Sequence, residues 1–185
     1  MAALVLDSEA LSALAVRRKT DVTRRVRALL TVALDRDADV VVPSAVLAEL
    51  YRGDSTDAAI DTVLARRGLR TITSGRRIVR TAGALRQRDR LDSCHVVDCI
   101  VVATAVRLGG AVIATGDPTD MQQLAREHPN VVVQPIAGWA PSWGLGLDQS
   151  SASWERLTDF LAASFLAESW PVPGHVVRLQ RGSPL

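Results

Sequence analysis

Four acidic residues stand where a solvent-facing carboxylate is not expected. Asp7 closes the apolar run Ala3 to Leu6, and Asp117 follows a second run, Ala111 to Ala114, after the turn Thr115-Gly116. Glu49, in Val46-Leu47-Ala48-Glu49-Leu50, and Asp98, in Val96-Val97-Asp98-Cys99-Ile100-Val101, lie among apolar neighbours on helical patterns. An unpaired carboxylate in such surroundings is costly and several together repel, so the arrangement makes sense if a cation gathers them. Oxygen ligands without thiolates select Mg²⁺ or Mn²⁺. One or two such ions can ionise a water for attack on a phosphodiester and neutralise the phosphate as the bond breaks. Each acid taken alone also has a plainer use. Asp7 could cap a helix starting near Ser8, Glu49 could be a solvated helix residue, and Asp117 could form the turn before Pro118. Asp98, inside a strongly apolar helix, shows no evident solvated face.

The elements that must position these acids are legible from the apolar pattern. Short, uniformly apolar runs at Ala3 to Leu6, Val40 to Val42, Leu69 to Ile72, Ala111 to Ala114 and Val131 to Val133 read as strands covered on both faces. Helical patterns lie between them at 8–18, 21–36, 44–51, 55–66, 75–90, 94–108 and 118–127. Pro43 pre-sets a helix start, while Gly53, Gly68 and Gly109 follow helical patterns as stops. Strand and helix in alternation predict an α/β fold of three layers with a central, mainly parallel sheet. In such a sheet ligands bind beyond the carboxyl ends of the strands, so Asp7 and Asp117 fall on one rim.

Composition bounds the remaining possibilities. A chain of 185 residues, 48% hydrophobic and 23% charged, is long enough for one real core, which excludes fibres, disordered tails and disulfide miniproteins. Cys94 and Cys99 lie five apart on a helical pattern where their side chains diverge, so a reduced, cytoplasmic protein is expected and both are read as small core residues. The N-terminus has no basic stretch before its short apolar run, and no segment is long enough for a membrane span. Composition shifts after Pro135: all four tryptophans lie beyond it, and residues 138–185 carry a net charge of −1 against +3 for residues 1–137. The expected division is therefore 1–137 as the main domain and 138–185 as an extension. Within the extension, Trp154, Leu157, Leu161, Phe165 and Leu166 make one apolar helix face.

At its acidic positions the sequence resembles the PIN-domain family, most closely the VapC-type ribonuclease toxins of bacterial toxin–antitoxin pairs. The resemblance spans about residues 3–136 and is carried by Val5-Leu6-Asp7-Ser8, Ser44 to Leu50, Val97 to Ala105 and Ala114 to Met121, in order and at family-like spacing. It implies a PIN-like fold, with Asp7, Glu49, Asp98 and Asp117 as the acidic quartet and Ser8, Thr115 and Asp120 as supporting polar positions. It also implies metal-dependent endonucleolytic cleavage of RNA, restraint by a cognate antitoxin and a homodimeric state. The chain departs from the pattern at Glu9, where many relatives carry an uncharged residue after Asp-Ser.

Other readings carry less. The basic residues are 21 arginines and the single lysine Lys19, clustered at 17–27, 66–70, 76–80 and 86–90; Arg76, Arg77 and Arg80 are the preferred phosphate contacts because they open the helix before that of Asp98. Cys94, His95, Asp98 and Cys99 invite a zinc site, but no second Cys or His cluster supplies the missing ligands. Receiver domains and haloacid-dehalogenase-like phosphatases also place an Asp after the first strand, yet they need a late lysine that is lacking here. A non-catalytic PIN-like RNA- or protein-binding regulator is the alternative, and the intact quartet argues against it. The extension is expected to cover an exposed edge or join a dimer, or else to dock where an antitoxin would lie.

Overall fold

The computed structural model describes residues 3–16 and 20–137. The expected tail helix with Trp154, Leu157, Leu161 and Phe165, and the basic residues Arg17, Arg18 and Lys19, lie outside the described residues.

Five strands form one sheet: β1 (Ala3–Leu6), β2 (Asp39–Pro43), β3 (Leu69–Ile72), β4 (Ala111–Thr115) and β5 (Val131–Pro135). Their spatial order is β3-β2-β1-β4-β5, and all four pairings are parallel, so the mainly parallel sheet expected is wholly so. Among the described residues seven α-helices accompany them: α1 (Ser8–Ala15), α2 (Asp21–Asp35), α3 (Ser44–Leu50), α4 (Ser55–Leu64), α5 (Arg76–Asp89), α6 (Val96–Arg107) and α7 (Pro118–Ala125). Parallel crossovers are right-handed, so the reversal of strand order at β1 sends the helices to opposite faces. Helix α1 packs on α2 and α4, while α6 packs on α5 and α7, which gives the three layers.

The strand order reverses between β1 and β4, the place beyond whose carboxyl ends open α/β sheets bind their ligands. Both strands are buried along their whole length, as their unbroken apolar runs require. The edge strands differ from the uniformly buried runs expected. In β3, Arg70 and Thr71 are exposed, and β5 is only partly buried, because an edge strand lacks a neighbour on one side. Helix α6 reaches across β1, β2, β4 and β5 and is flanked by α3, α5 and α7. Contact on every side explains its seven consecutive buried residues, Cys99 to Ala105, and why no amphipathic period shows in its sequence.

Two helix limits are shorter than the sequence suggests. Helix α1 ends at Ala15, and the α6 region opens as a 3₁₀ turn, Ser93–His95, because Asp92 caps that turn through the Cys94 N–H at 3.0 Å. Cys94 is therefore exposed on the turn rather than a core residue, whereas Cys99 is buried and its thiol is pushed up to about 11 by desolvation. Gly109, at φ 84°, stops α6 as expected. No helix among the described residues is long and apolar enough to cross a membrane.

Candidate active site

Asp7 leaves β1 at the reversal of strand order and is 6% exposed. Its Oδ1 accepts the Ala10 N–H at 2.7 Å, the N-cap bond of α1, and its Oδ2 accepts the Gly116 N–H from the loop after β4 at 3.2 Å. The capping role and a rim role therefore coexist in one side chain. Desolvation pushes the Asp7 carboxyl up from 3.8 to about 6, against the hydrogen bonds from Thr115, Ala10 and Gly116, and the charge of Glu9 adds to the rise. Thr115 is buried at the end of β4; its Oγ1 accepts the Asp117 N–H at 3.0 Å, and its side chain lies close enough to Asp7 to favour the charged carboxylate. Asp7 and Asp117 are thus held by the same short loop.

Asp117 occupies the N-cap position of α7 ahead of Pro118, and its side chain makes no cap hydrogen bond. Its carboxylate is exposed and is felt by Asp98, on the first turn of α6. The Asp98 carboxyl is raised by desolvation first and then by the charges of Glu49 and Asp117, with His95 opposing. Glu49 is exposed on α3, which starts directly at the end of β2 and packs between α1 and α6. The apolar setting expected for Glu49 is corrected by this position: α3 lies at the rim, where one side of a short helix faces solvent. Asp98 likewise has a wet side, with its side chain 36% exposed.

His95 ties the remaining acid to the group. Its Nδ1 stands 3.5 Å from Asp98 Oδ2 and 3.6 Å from Asp120 Oδ2, so both carboxylates face one imidazole edge. Sequence reasoning sets His95 aside; the signal that could have found it is its position three residues before Asp98 on a helix. Glu9, two residues after Asp7 and noted in the sequence only as a departure from the family pattern, has its carboxylate against Gly116. Ser8 opens α1, half-buried, and takes no part in these contacts.

The donor set fits a hard divalent cation. Asp7, Glu49, Asp98 and Asp117 offer only oxygen; burial raises Asp7 and Asp98, and acidic neighbours add to it, Glu9 at Asp7 and Glu49 with Asp117 at Asp98, conditions that a dication relieves. Among the described residues, Asp92, Cys94 and His95 bring ligand-type atoms within 4.8 Å of one another, closer than any three of the quartet. That turn has a local explanation, since Asp92 caps it and also accepts the Cys94 thiol.

Arg76 and Arg77 open α5, four residues beyond the end of β3, and Arg80 follows one turn later; all three are exposed and without an ion pair among the described residues. The entry to α5 is fastened to the start of α3 by the Ser74 N–H, which donates to Ser44 Oγ at 3.0 Å. Other arginines serve the scaffold. Arg70 pairs with Asp39 at 2.6 Å, and Arg88 and Arg126 pair with Asp89 at 2.7 and 2.6 Å.

No curated protein sequence matches the chain. Among solved structures, it resembles a chain of VapBC2 from Rickettsia felis, solved bound to a DNA fragment from the promoter, with a TM-score of 0.54 and 16% sequence identity over 74% of this chain and 98% of that one. At that identity the likeness concerns the fold. The family profile described as PIN domain matches residues 4–127, which takes in the sheet through β4, all seven helices and every acid of the quartet. The chain belongs to the PIN domain family.

Proposed function

We propose that the chain is a metal-dependent endoribonuclease that hydrolyses RNA phosphodiester bonds, and that it is the toxin of a toxin–antitoxin pair. The observation that supports this reading is the placement of Asp7 and Asp117 after β1 and β4, where the strand order reverses, with Asp7 fixed by backbone donors from two separate elements and Asp98 feeling the charges of Glu49 and Asp117. Asp7, Asp98 and Asp117 would hold Mg²⁺ or Mn²⁺. When bound, the ion supplies charge neutralisation at the phosphate and a lower pKa for the attacking water.

The protein's own groups do the rest. Glu49, exposed on α3 and close enough for its charge to raise Asp98, takes the proton of the attacking water and orients it toward phosphorus. Thr115 holds Asp7 and the Asp117 backbone in one register, and Asp120 shares His95 with Asp98. Arg76, Arg77 and Arg80 bind flanking phosphates; guanidinium forks suit phosphate oxygens, and freedom from local ion pairs leaves their charge available. Residues 1–137 form the nuclease domain and 138–185 the extension. The VapBC2 neighbour is a toxin–antitoxin assembly, which supports a protein antitoxin as partner; a homodimer is the proposed state, and the cytoplasm the proposed location.

The test is incubation of the purified chain with a mixed RNA pool in Mg²⁺, in Mn²⁺ and in EDTA. Cleavage confined to the metal-containing reactions is expected. Absence of cutting by folded protein, with the chain truncated after residue 137 as well as in full, would overturn the reading.

A further inference from the structure

We propose that Glu9 is a further cation-binding carboxylate of this centre, acting from the rim beside Gly116; the inference rests on the metal-dependent reading above. Glu9 is the second residue of α1, and its side chain is exposed. Its carboxylate nonetheless lies against Gly116, so closely that a Cβ at position 116 would fall on it. Gly116 does not adopt a left-handed conformation, so what glycine provides there is space, and the Glu9 carboxylate fills it.

The placement puts Glu9 among like charges. The Gly116 N–H is bound to Asp7 Oδ2, so Glu9 stands beside the loop that holds Asp7. Its charge contributes to the rise of Asp7. The N-terminal turn of a helix favours an acidic residue through its dipole wherever the side chain points. That accounts for Glu at position 9, but it does not account for a carboxylate laid on Gly116, close enough for its charge to act on Asp7. No arginine or lysine pairs with Glu9 among the described residues. A hard dication takes about six oxygen ligands and rewards each anionic one, so a fifth carboxylate at this distance tightens its binding.

The experiment is titration of the full chain with Mn²⁺, followed by the electron paramagnetic resonance signal of the free ion. Wild type is compared with Glu9→Gln, Asp98→Asn and Asp35→Asn, and circular dichroism reports the fold. Asp35 ends α2 just before β2 begins, at the amino-terminal end of the strands rather than the carboxyl end, and controls for overall charge. Glu9→Gln is expected to weaken Mn²⁺ binding about tenfold, and Asp35→Asn by less than about twofold. If Glu9→Gln binds as tightly as wild type while Asp98→Asn does not, Glu9 is no ligand and the quartet stands. If wild type binds no Mn²⁺, the metal reading falls and Glu9 with it. A loss in Asp35→Asn equal to that in Glu9→Gln would reduce the effect to net charge and also overturn the proposal.

Discussion

Asp7 and Gly116 are 109 residues apart in sequence and joined by one hydrogen bond, from the Gly116 N–H to Asp7 Oδ2 at 3.2 Å. This bond links the first strand's end to the loop after β4, and with it the two acids that flank the reversal of strand order. It also fixes a carboxylate where burial opposes its charge, which has consequences for stability.

The pH dependence follows from the Asp7 carboxyl, raised from 3.8 to about 6 by desolvation. A raised acid binds its proton more tightly in the folded state, so stability is greatest below the unfolded value. It falls as pH rises from about 4 to about 6 and is level above that, by at most about 3 kcal/mol. Urea unfolding in EDTA across this range should show the decline, and Asp7→Asn should flatten it. An unchanged profile in the variant would contradict the assignment of the raised group.

Thr115→Val removes a buried hydroxyl that serves both Asp7 and the Asp117 N–H. The Asp117 N–H is left without its partner and Asp7 loses a favourable polar neighbour, so a destabilisation of about 1–3 kcal/mol is expected in denaturant unfolding. RNA cleavage should fall about tenfold or more. Thr115→Ser, which keeps the hydroxyl, should recover most of both. A valine variant as active as wild type would show that this bridge does not position the acids.

Alanine at Arg76, Arg77 and Arg80 together should raise KM for RNA and leave kcat nearly unchanged, because these exposed residues lie outside the acid cluster. For each arginine that no longer neutralises a phosphate, the dependence of binding on salt should weaken by about 0.7 in log–log slope for single strands. Steady-state kinetics at several salt concentrations measures both. A fall confined to kcat would contradict a phosphate-binding role.

Asp89→Asn separates scaffold from site. Asp89 is almost fully enclosed and accepts Arg88 and Arg126, whose guanidinium groups hold its carboxyl below the usual range. The substitution should cost about 2 kcal/mol in thermal or urea unfolding. Cleavage by the folded fraction should be unchanged. A specific loss of activity without loss of stability would mean that this arginine pair reaches the site.

Much of the scaffold could be read from the chain because burial on both sheet faces leaves unbroken apolar runs, as in β1 and β4, and because Pro43 and Gly109 mark helix ends through their backbone limits. The rim position of Asp7 and Asp117 followed from their places directly after two such strands. What could not be read depends on long-range contact. Glu49 is exposed because α3 lies at the rim, Arg88 is structural because Asp89 folds under Arg126, and β3 is half-wet because it is an edge. The roles of His95 and Glu9 depend on which loops face them, His95 through Asp120 and Glu9 through Gly116, and local periodicity carries no record of those neighbours.

The central claim is that the acids work as one metal-dependent nuclease centre, and Asp98 tests it most directly because its charge is felt together with those of Glu49 and Asp117. The measurement is the initial rate of RNA cleavage against Mn²⁺ concentration for wild type and Asp98→Ala, each checked for fold by circular dichroism. The account predicts saturable, EDTA-sensitive cleavage by wild type and a folded Asp98→Ala whose rate is lower by at least about a hundredfold. Cleavage by Asp98→Ala at the wild-type rate, or cleavage that persists in EDTA, would contradict it.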